Sequence, residues 1–238
     1  MKRCLTSQTT TINTKAIVVG MGLLFVLLQL GFHPTYFQYY PEFKKFTWLH
    51  HIHGMLMASW IILLVVQPIL IHKGKLAAHR FVGKLSYVVA PLMIASMFLI
   101  LRFSFHKAIA KRPFEAVISF QSLTILQLIC FTLFFILAIV NKKNTFKHVR
   151  YMIGTALVFV TPPLSRVLGE YFKIEIIYAM YFSAGLAAFF LAYDIVKKKN
   201  WLPNTIVLSM LVLSIVLFQN RKSEVWLVFG RLWANTFY

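Results

Sequence analysis

The sequence predicts an all-α, polytopic membrane bundle of seven transmembrane helices followed by a C-terminal interfacial segment. Three observations carry that reading. Hydrophobic residues make up 59% of the 238-residue chain and charged residues 13%, where soluble domains carry about 25% charged residues. The apolar residues are gathered into seven runs, each close to the length needed to cross a hydrocarbon core of about 30 Å at roughly 1.5 Å per residue. The basic residues fall in the short stretches between the runs. In a soluble protein the net charge of +19 would point to nucleic acid. Distributed this way, it speaks for membrane topology and anionic headgroups, so the expected partner is the lipid bilayer and not a nucleic acid.

The runs lie at about 16–32, 50–71, 82–101, 115–140, 151–168, 176–196 and 203–219, within one integral membrane domain covering 1–238. No small-x-small site closes the first run, so it reads as a retained span and not as a cleaved leader. Cys4 follows no lipobox-like run, and with Cys130 it forms no disulfide framework or Cys-x-x-Cys motif. Stretch 33–49 is rich in aromatic residues (Tyr36, Phe37, Tyr39, Tyr40, Phe43, Phe46, Trp48) and suits a headgroup interface. With seven spans, Lys and Arg number 14 on the side of the N-terminus and 11 on the other. This predicts N-terminus in and C-terminus out, in a bacterial cytoplasmic membrane.

The second run carries most of the polar information. It opens with His50, His51 and His53, and His72 and His79-Arg80 follow its far end. His53, Met57, Trp60, Leu64 and Gln67 share one helical face. A polar stripe inside a bilayer needs partners, because each buried polar group is costly unless hydrogen-bonded. These histidines read either as haem or metal ligands or as interfacial groups bonded to headgroups and backbone.

The third helix is read as starting at His79-Arg80. It has His79, Gly83, Ser86, Ala90, Met93 and Met97 on one stripe, whose small residues allow close helix approach. On the fourth run, Gln121, Thr124 and Gln127 read as interhelical hydrogen-bond formers. The fifth places His148 at one end and Arg166 at the other, about 27 Å apart at helical rise, with Pro162 and Pro163 expected to kink or end the helix. Arg166 reads as a snorkelling side chain or as a holder of a carboxylate such as a haem propionate. Asp194, on the sixth run, is the acid expected on the inner side. It either orients His79 or His148 through a ring nitrogen or pairs with a nearby Lys or Arg. Segment 220–238 is too short and polar to span and reads as an interfacial helix.

Two clusters follow: an inner one of His79, His148 and Asp194, and an outer one of His33, His51, His53, Arg102 and Arg166. Histidines at both ends of a helical bundle suit two b-type haems, or a haem and a metal site. The inner axial ligands would be His79 and His148. His53 with His51 or His33 would serve the outer site, and Arg80, Arg150 and Arg166 would neutralise propionates. Trp60 and Gln67 complete the candidate cofactor-binding set, and His53, His79 and His148 the candidate metal ligands. No catalytic residues are assigned.

His51-x-His53, Trp60, Gln67, His79-Arg80-x-x-Gly83, His148-x-Arg150-x-Met152 and Pro162 with Arg166 form a pattern that resembles a family of bacterial polytopic membrane proteins. Ala78 and Val149 depart from that family's Leu and Lys. The resemblance covers about residues 50–168. The family is distantly similar to membrane proteins that assist haem-copper oxidase maturation and to transmembrane b-type cytochromes. It implies a haem- or metal-linked role for His53, His79 and His148 and no particular reaction. The haem reading itself carries the expectations of electron transfer or respiratory-complex assembly, with subunits of respiratory or other membrane complexes as partners.

Other membrane classes fit poorly. A retinal protein needs a lysine in its last helix, and 203–219 has none. Seven-helix zinc hydrolases carry a His-x-x-x-His pair there, and di-iron hydroxylases need several histidine boxes. A transporter would show broken helices or buried acids, to which the Pro162-Pro163 break alone corresponds. The reading from a different class is a non-catalytic scaffold or accessory subunit, with interfacial histidines and small-residue faces that bind partner helices.

Overall fold

In a computed structural model that describes residues 13–238, all regular structure is helical. Lys2, Arg3 and Cys4, used in the sequence reading, lie outside the described residues. The helices are α1 (Thr14–Phe32), α2 (Trp48–His72), α3 (Leu76–Gly83), α4 (Ser86–Ile109), α5 (Phe114–Val140), α6 (Thr145–Val158), α7 (Thr161–Phe172), α8 (Ile176–Val196), α9 (Leu202–Gln219) and α10 (Glu224–Phe237). Seven stretches are long and apolar enough to cross a membrane: α1, α2, α3 with α4, α5, α6 with α7, α8 and α9. The protein is a multi-pass helical membrane protein. Below, the near face is the end of the bundle that carries Thr14, and the far face is the opposite end.

Five spans start and stop within two residues of the apolar runs. Two are longer than their runs and broken. The third span begins at Leu76, and Lys84 and Leu85 separate α3 from α4. The stripe expected from His79 to Met97 is therefore not one continuous face. Ala90, Met93 and Met97 are buried on α4, whereas His79 and Gly83 belong to α3, which lies mainly against α2. The fifth span breaks between α6 and α7, where Phe159 and Val160 donate to the carbonyls three residues back. Pro162 and Pro163 cause this break, since neither has an N–H and each ring would clash with a carbonyl four residues earlier. Both then sit in the first turn of α7, where proline is tolerated.

The helices form a ring in which α1 meets α2, α2 meets α4, α4 meets α5, α5 meets α9, α9 meets α8, α8 meets α7 and α7 returns to α1. Helix α6 occupies the middle, against α5, α8 and α9, and is buried from Arg150 to Val158 except at Met152. Close approach depends on small residues. A Cβ added at Gly31 on α1 would fall onto the Pro163 backbone of α7, and one at Gly154 on α6 would meet Val207 at 2.9 Å and Phe134 at 3.2 Å.

Helix α10 folds back over the far ends of α4 and α5. Trp226 donates to the Ile118 carbonyl at 3.3 Å and Ser119 to the Arg221 carbonyl at 2.8 Å. Tyr238 donates to Gln121 at 3.2 Å, and burial pushes its phenol up to about 12.

Among the described residues, one charged pair lies inside the bundle. Arg150 on α6 grips Asp194 on α8 with two donors: Nε to Oδ2 at 2.8 Å, and Nη2 to Oδ1. Asn204 on α9 adds a third bond to Oδ2 at 2.7 Å. Asp194 is fully buried and Arg150 is 9% exposed. Phe146 stacks under the guanidinium at 4.7 Å. Removing one partner of such a pair strands the other charge and typically costs about 3–5 kcal/mol, whereas replacing both with apolar groups is often close to neutral.

Arg150→Met and Asp194→Asn should therefore each lower the unfolding midpoint in detergent sharply, and Arg150→Met with Asp194→Leu should recover most of the loss. Additive losses in the double variant would contradict the pairing. Gly31→Ala should destabilise by about 1–3 kcal/mol through overpacking. Gly22→Ala, whose Cβ would meet nothing within 4 Å, should leave the thermal midpoint unchanged.

Candidate functional site

Near the near face, α1, α2, α3 and α6 enclose a cavity of about 510 Å³. Ile17, Met21, Leu63, Leu64, Ile71, Met152 and Ile153 make its walls apolar, and Arg80, Lys84 and Lys142 bring positive charge to its rim. Lys142 also donates to the Tyr87 hydroxyl at 3.3 Å. Trp60 forms part of the wall and is fully buried against the edges of Phe131 and Phe135. Its Nε1–H is a buried donor with no acceptor among the described residues.

Two histidines line this cavity, close enough for a charge on one to bear on the other. His148 is held by its Nδ1, which lies 2.8 Å from the Ala138 carbonyl. That carbonyl belongs to the last turn of α5, where helical oxygens lack intrahelical donors. Since a carbonyl only accepts, His148 Nδ1 carries a proton, and in the neutral ring the lone pair is on Nε2. His79 is held by Gln67. The Gln67 side-chain amide is oriented by its neighbours: Oε1 accepts from the Gly83 N–H at 3.1 Å, and Nε2 donates to the His79 carbonyl at 3.2 Å and to His79 Nδ1. The opposite orientation would set donor against donor at Gly83 and acceptor against acceptor at the His79 carbonyl.

The remaining expected residues do not all come together within the two clusters read in the sequence. Asp194 does not reach His79 or His148, because both its oxygens are taken by Arg150 and Asn204. The same pairing removes Arg150 from the set of propionate partners. His53 sits toward the far face, with Nδ1 at 3.0 Å from Ser96 Oγ, and Ser96 in turn donates to the Met93 carbonyl at 2.8 Å. Arg166 bears on His53 electrostatically. It donates to the Pro162 carbonyl at 2.8 Å and stacks on Phe32 at 4.4 Å. His53, His79 and His148 thus lie at opposite ends of the bundle and do not form one metal site. Among the described residues, no three His, Cys, Asp or Glu side chains converge to hold a metal ion.

The other far-face histidines serve the backbone and the aromatic loop. His50 closes a capping box with Thr47 at the start of α2. His51 is hydrogen-bonded to Tyr36 within a cluster that includes Phe43 and Phe46. Burial in that cluster raises the Tyr36 phenol, whereas the Lys45 ammonium, bonded to Tyr39 at 3.1 Å, lowers the Tyr39 phenol. His33 caps the end of α1. Arg102 reaches the Tyr238 carbonyl at 3.5 Å, away from the histidines.

Comparisons with protein-family models, with curated proteins and with solved structures find no match for this chain. The functional reading therefore rests on the geometry of the near-face cavity.

An open cavity makes Met152 reachable from the near face, whereas Met180 is buried between helices. In a Cys4→Ser background, Met152→Cys should react with a water-soluble thiol reagent applied to the near face of oriented vesicles, and Met180→Cys should stay unmodified. Equal protection of both would mean that the cavity is closed to water.

Proposed function

We propose that the protein binds haem b in the near-face cavity, with His148 as the protein ligand, and serves membrane electron transfer or haem handling. The observation that carries this is the state of His148. Its Nδ1–H is fixed on the Ala138 carbonyl, which in the neutral ring leaves the lone pair on Nε2, the arrangement that orients an imidazole toward iron. The surroundings support the same ligand. A volume of about 510 Å³ lies within the usual span of cofactor pockets, about 300–1,000 Å³. The apolar walls suit a macrocycle, and Arg80, Lys84 and Lys142 at the rim suit its two propionates. Trp60, Gln67, His79, Arg80 and His148 also belong to the pattern that resembles the bacterial membrane family neighbouring b-type cytochromes and oxidase-assembly proteins.

When bound, haem b supplies one-electron chemistry, its potential set by ligand, burial and hydrogen bonding. The chain's own contribution is to orient His148, pack the macrocycle with the apolar walls of α1, α2 and α6, and neutralise carboxylates at the rim. This reading carries with it a bacterial cytoplasmic membrane, the N-terminus inside, and respiratory or other membrane-complex subunits as partners.

The detergent-purified protein, titrated with haem, should give a Soret band that shifts on reduction. His148→Ala should lose it, and His51→Ala should keep it. A wild-type protein that gives no haem spectrum overturns the function. Haem retained unchanged in His148→Ala overturns the ligand assignment.

A further inference from the structure

We infer that Gln67 fixes His79 as a hydrogen-bond donor and not as a second metal ligand, so that the cavity takes, beside His148, a small exogenous ligand bearing an acceptor atom. This deepens the haem-binding reading and rests on it for the identity of the group held by His148. The assignment of His79 itself does not.

A neutral imidazole has one N–H and one lone pair, and the partner of one nitrogen decides the state of the other. Gln67 Nε2 donates to His79 Nδ1, so that nitrogen is the acceptor and Nε2 carries the proton. A nitrogen bearing a proton does not ligate a metal. Gln67 cannot rotate to reverse this cheaply, because its oxygen is held by the Gly83 N–H at 3.1 Å and its second amide proton by the His79 carbonyl at 3.2 Å. His148 is arranged oppositely, with Nδ1 donating to Ala138 at 2.8 Å. The two histidines of one cavity therefore differ in kind, one presenting a lone pair and the other an N–H. Two lone-pair imidazoles would both hold the bound group. One lone pair beside one N–H would supply a single ligand and a hydrogen-bond donor for a small molecule sharing the cavity. Gln67 is thus a positioning residue acting through His79.

The test reads the tautomer first. Protein labelled with ¹⁵N-histidine is examined in detergent without added haem. His79 is assigned by its loss in His79→Gln or by proximity to the Gln67 side-chain amide. The expected result is a protonated Nε2 at His79 and a protonated Nδ1 at His148. Gln67→Glu, whose carboxylate only accepts, should move the His79 proton to Nδ1. A protonated Nδ1 at His79 in the wild type overturns the inference, whether or not haem binds. The expected tautomer in a protein that takes up no haem sustains the role of Gln67 and overturns the haem reading alone. In haem-loaded, reduced protein, carbon monoxide should bind readily to the wild type and at least tenfold more weakly to Gln67→Glu, where His79 is freed to compete. A wild-type spectrum of two axial histidines that carbon monoxide does not perturb also overturns the inference.

Discussion

The buried pair of Arg150 and Asp194 is the constraint on which the rest of the bundle depends. Two opposite charges held away from water are tolerable only where each lone pair and proton has a partner. Here the two Arg150 donors and the Asn204 amide engage both oxygens of a fully buried carboxylate. The three residues come from α6, α8 and α9, so the pair fixes three helices at once. It also fixes the rotation of α6. Residues two apart on a helix point in nearly opposite directions. With Arg150 turned toward α8 and α9, His148 and Met152 are turned the other way, into the near-face cavity. A polar contact that has no role in ligand binding thereby decides which histidine the cavity receives.

Much of this was legible in the sequence, and the reasons for what was not are local. The seven spans could be counted because lipid demands long apolar runs, and span parity alone put His79 and His148 on one side. The broken spans could be read only in part. Pro162 and Pro163 announced the break before α7, but Lys84 and Leu85 give no comparable signal before α4, and the short helix carrying His79 was read as the start of a straight one. The partnership of Gln67 with His79 depends on how α3 folds back on α2, which no periodicity within either helix reveals. Asp194 could be read as an acid in need of a partner, but the choice between histidine and arginine rests on the relative rotation of α6, α8 and α9. The far-face histidines show the same limit. His50, His51 and His53 are adjacent in sequence, yet one caps a helix, one bonds a tyrosine and one bonds a serine on α4.

The two ends of the bundle are built on different principles. At the far face the ends of the helices are covered by α10 and by an aromatic loop in which Tyr36 touches Phe37, Phe43, Phe46 and His51. The far-face histidines His50, His51 and His53 are spent on Thr47, Tyr36 and Ser96. At the near face, α3 is short and the loops are basic, and one ring nitrogen each ties His148 to the Ala138 carbonyl and His79 to the Gln67 side chain, leaving a second ring nitrogen on each histidine. That surplus of unspent donors and acceptors, inside apolar walls, is what separates a binding site from a set of helix caps.

The cavity itself follows from the break in the fifth span. If α6 and α7 formed one straight helix, the span would keep the same neighbours along its whole length. Instead α7 bends toward α1, close enough that Gly31 meets the Pro163 backbone with no room for a side chain, while α6 stays against α5, α8 and α9. Helix α1 is therefore drawn against the fifth span at the far face. At the near face it has α2 for a neighbour, where Thr14 lies 3.2 Å from His72. The wedge that opens between the near halves of α1 and α6 is the cavity, with α2 as its back wall and α3 beside its mouth. Two prolines that cannot continue a helix and one glycine that lets two backbones touch thus produce, at the opposite end of the membrane, the space into which His148 is turned.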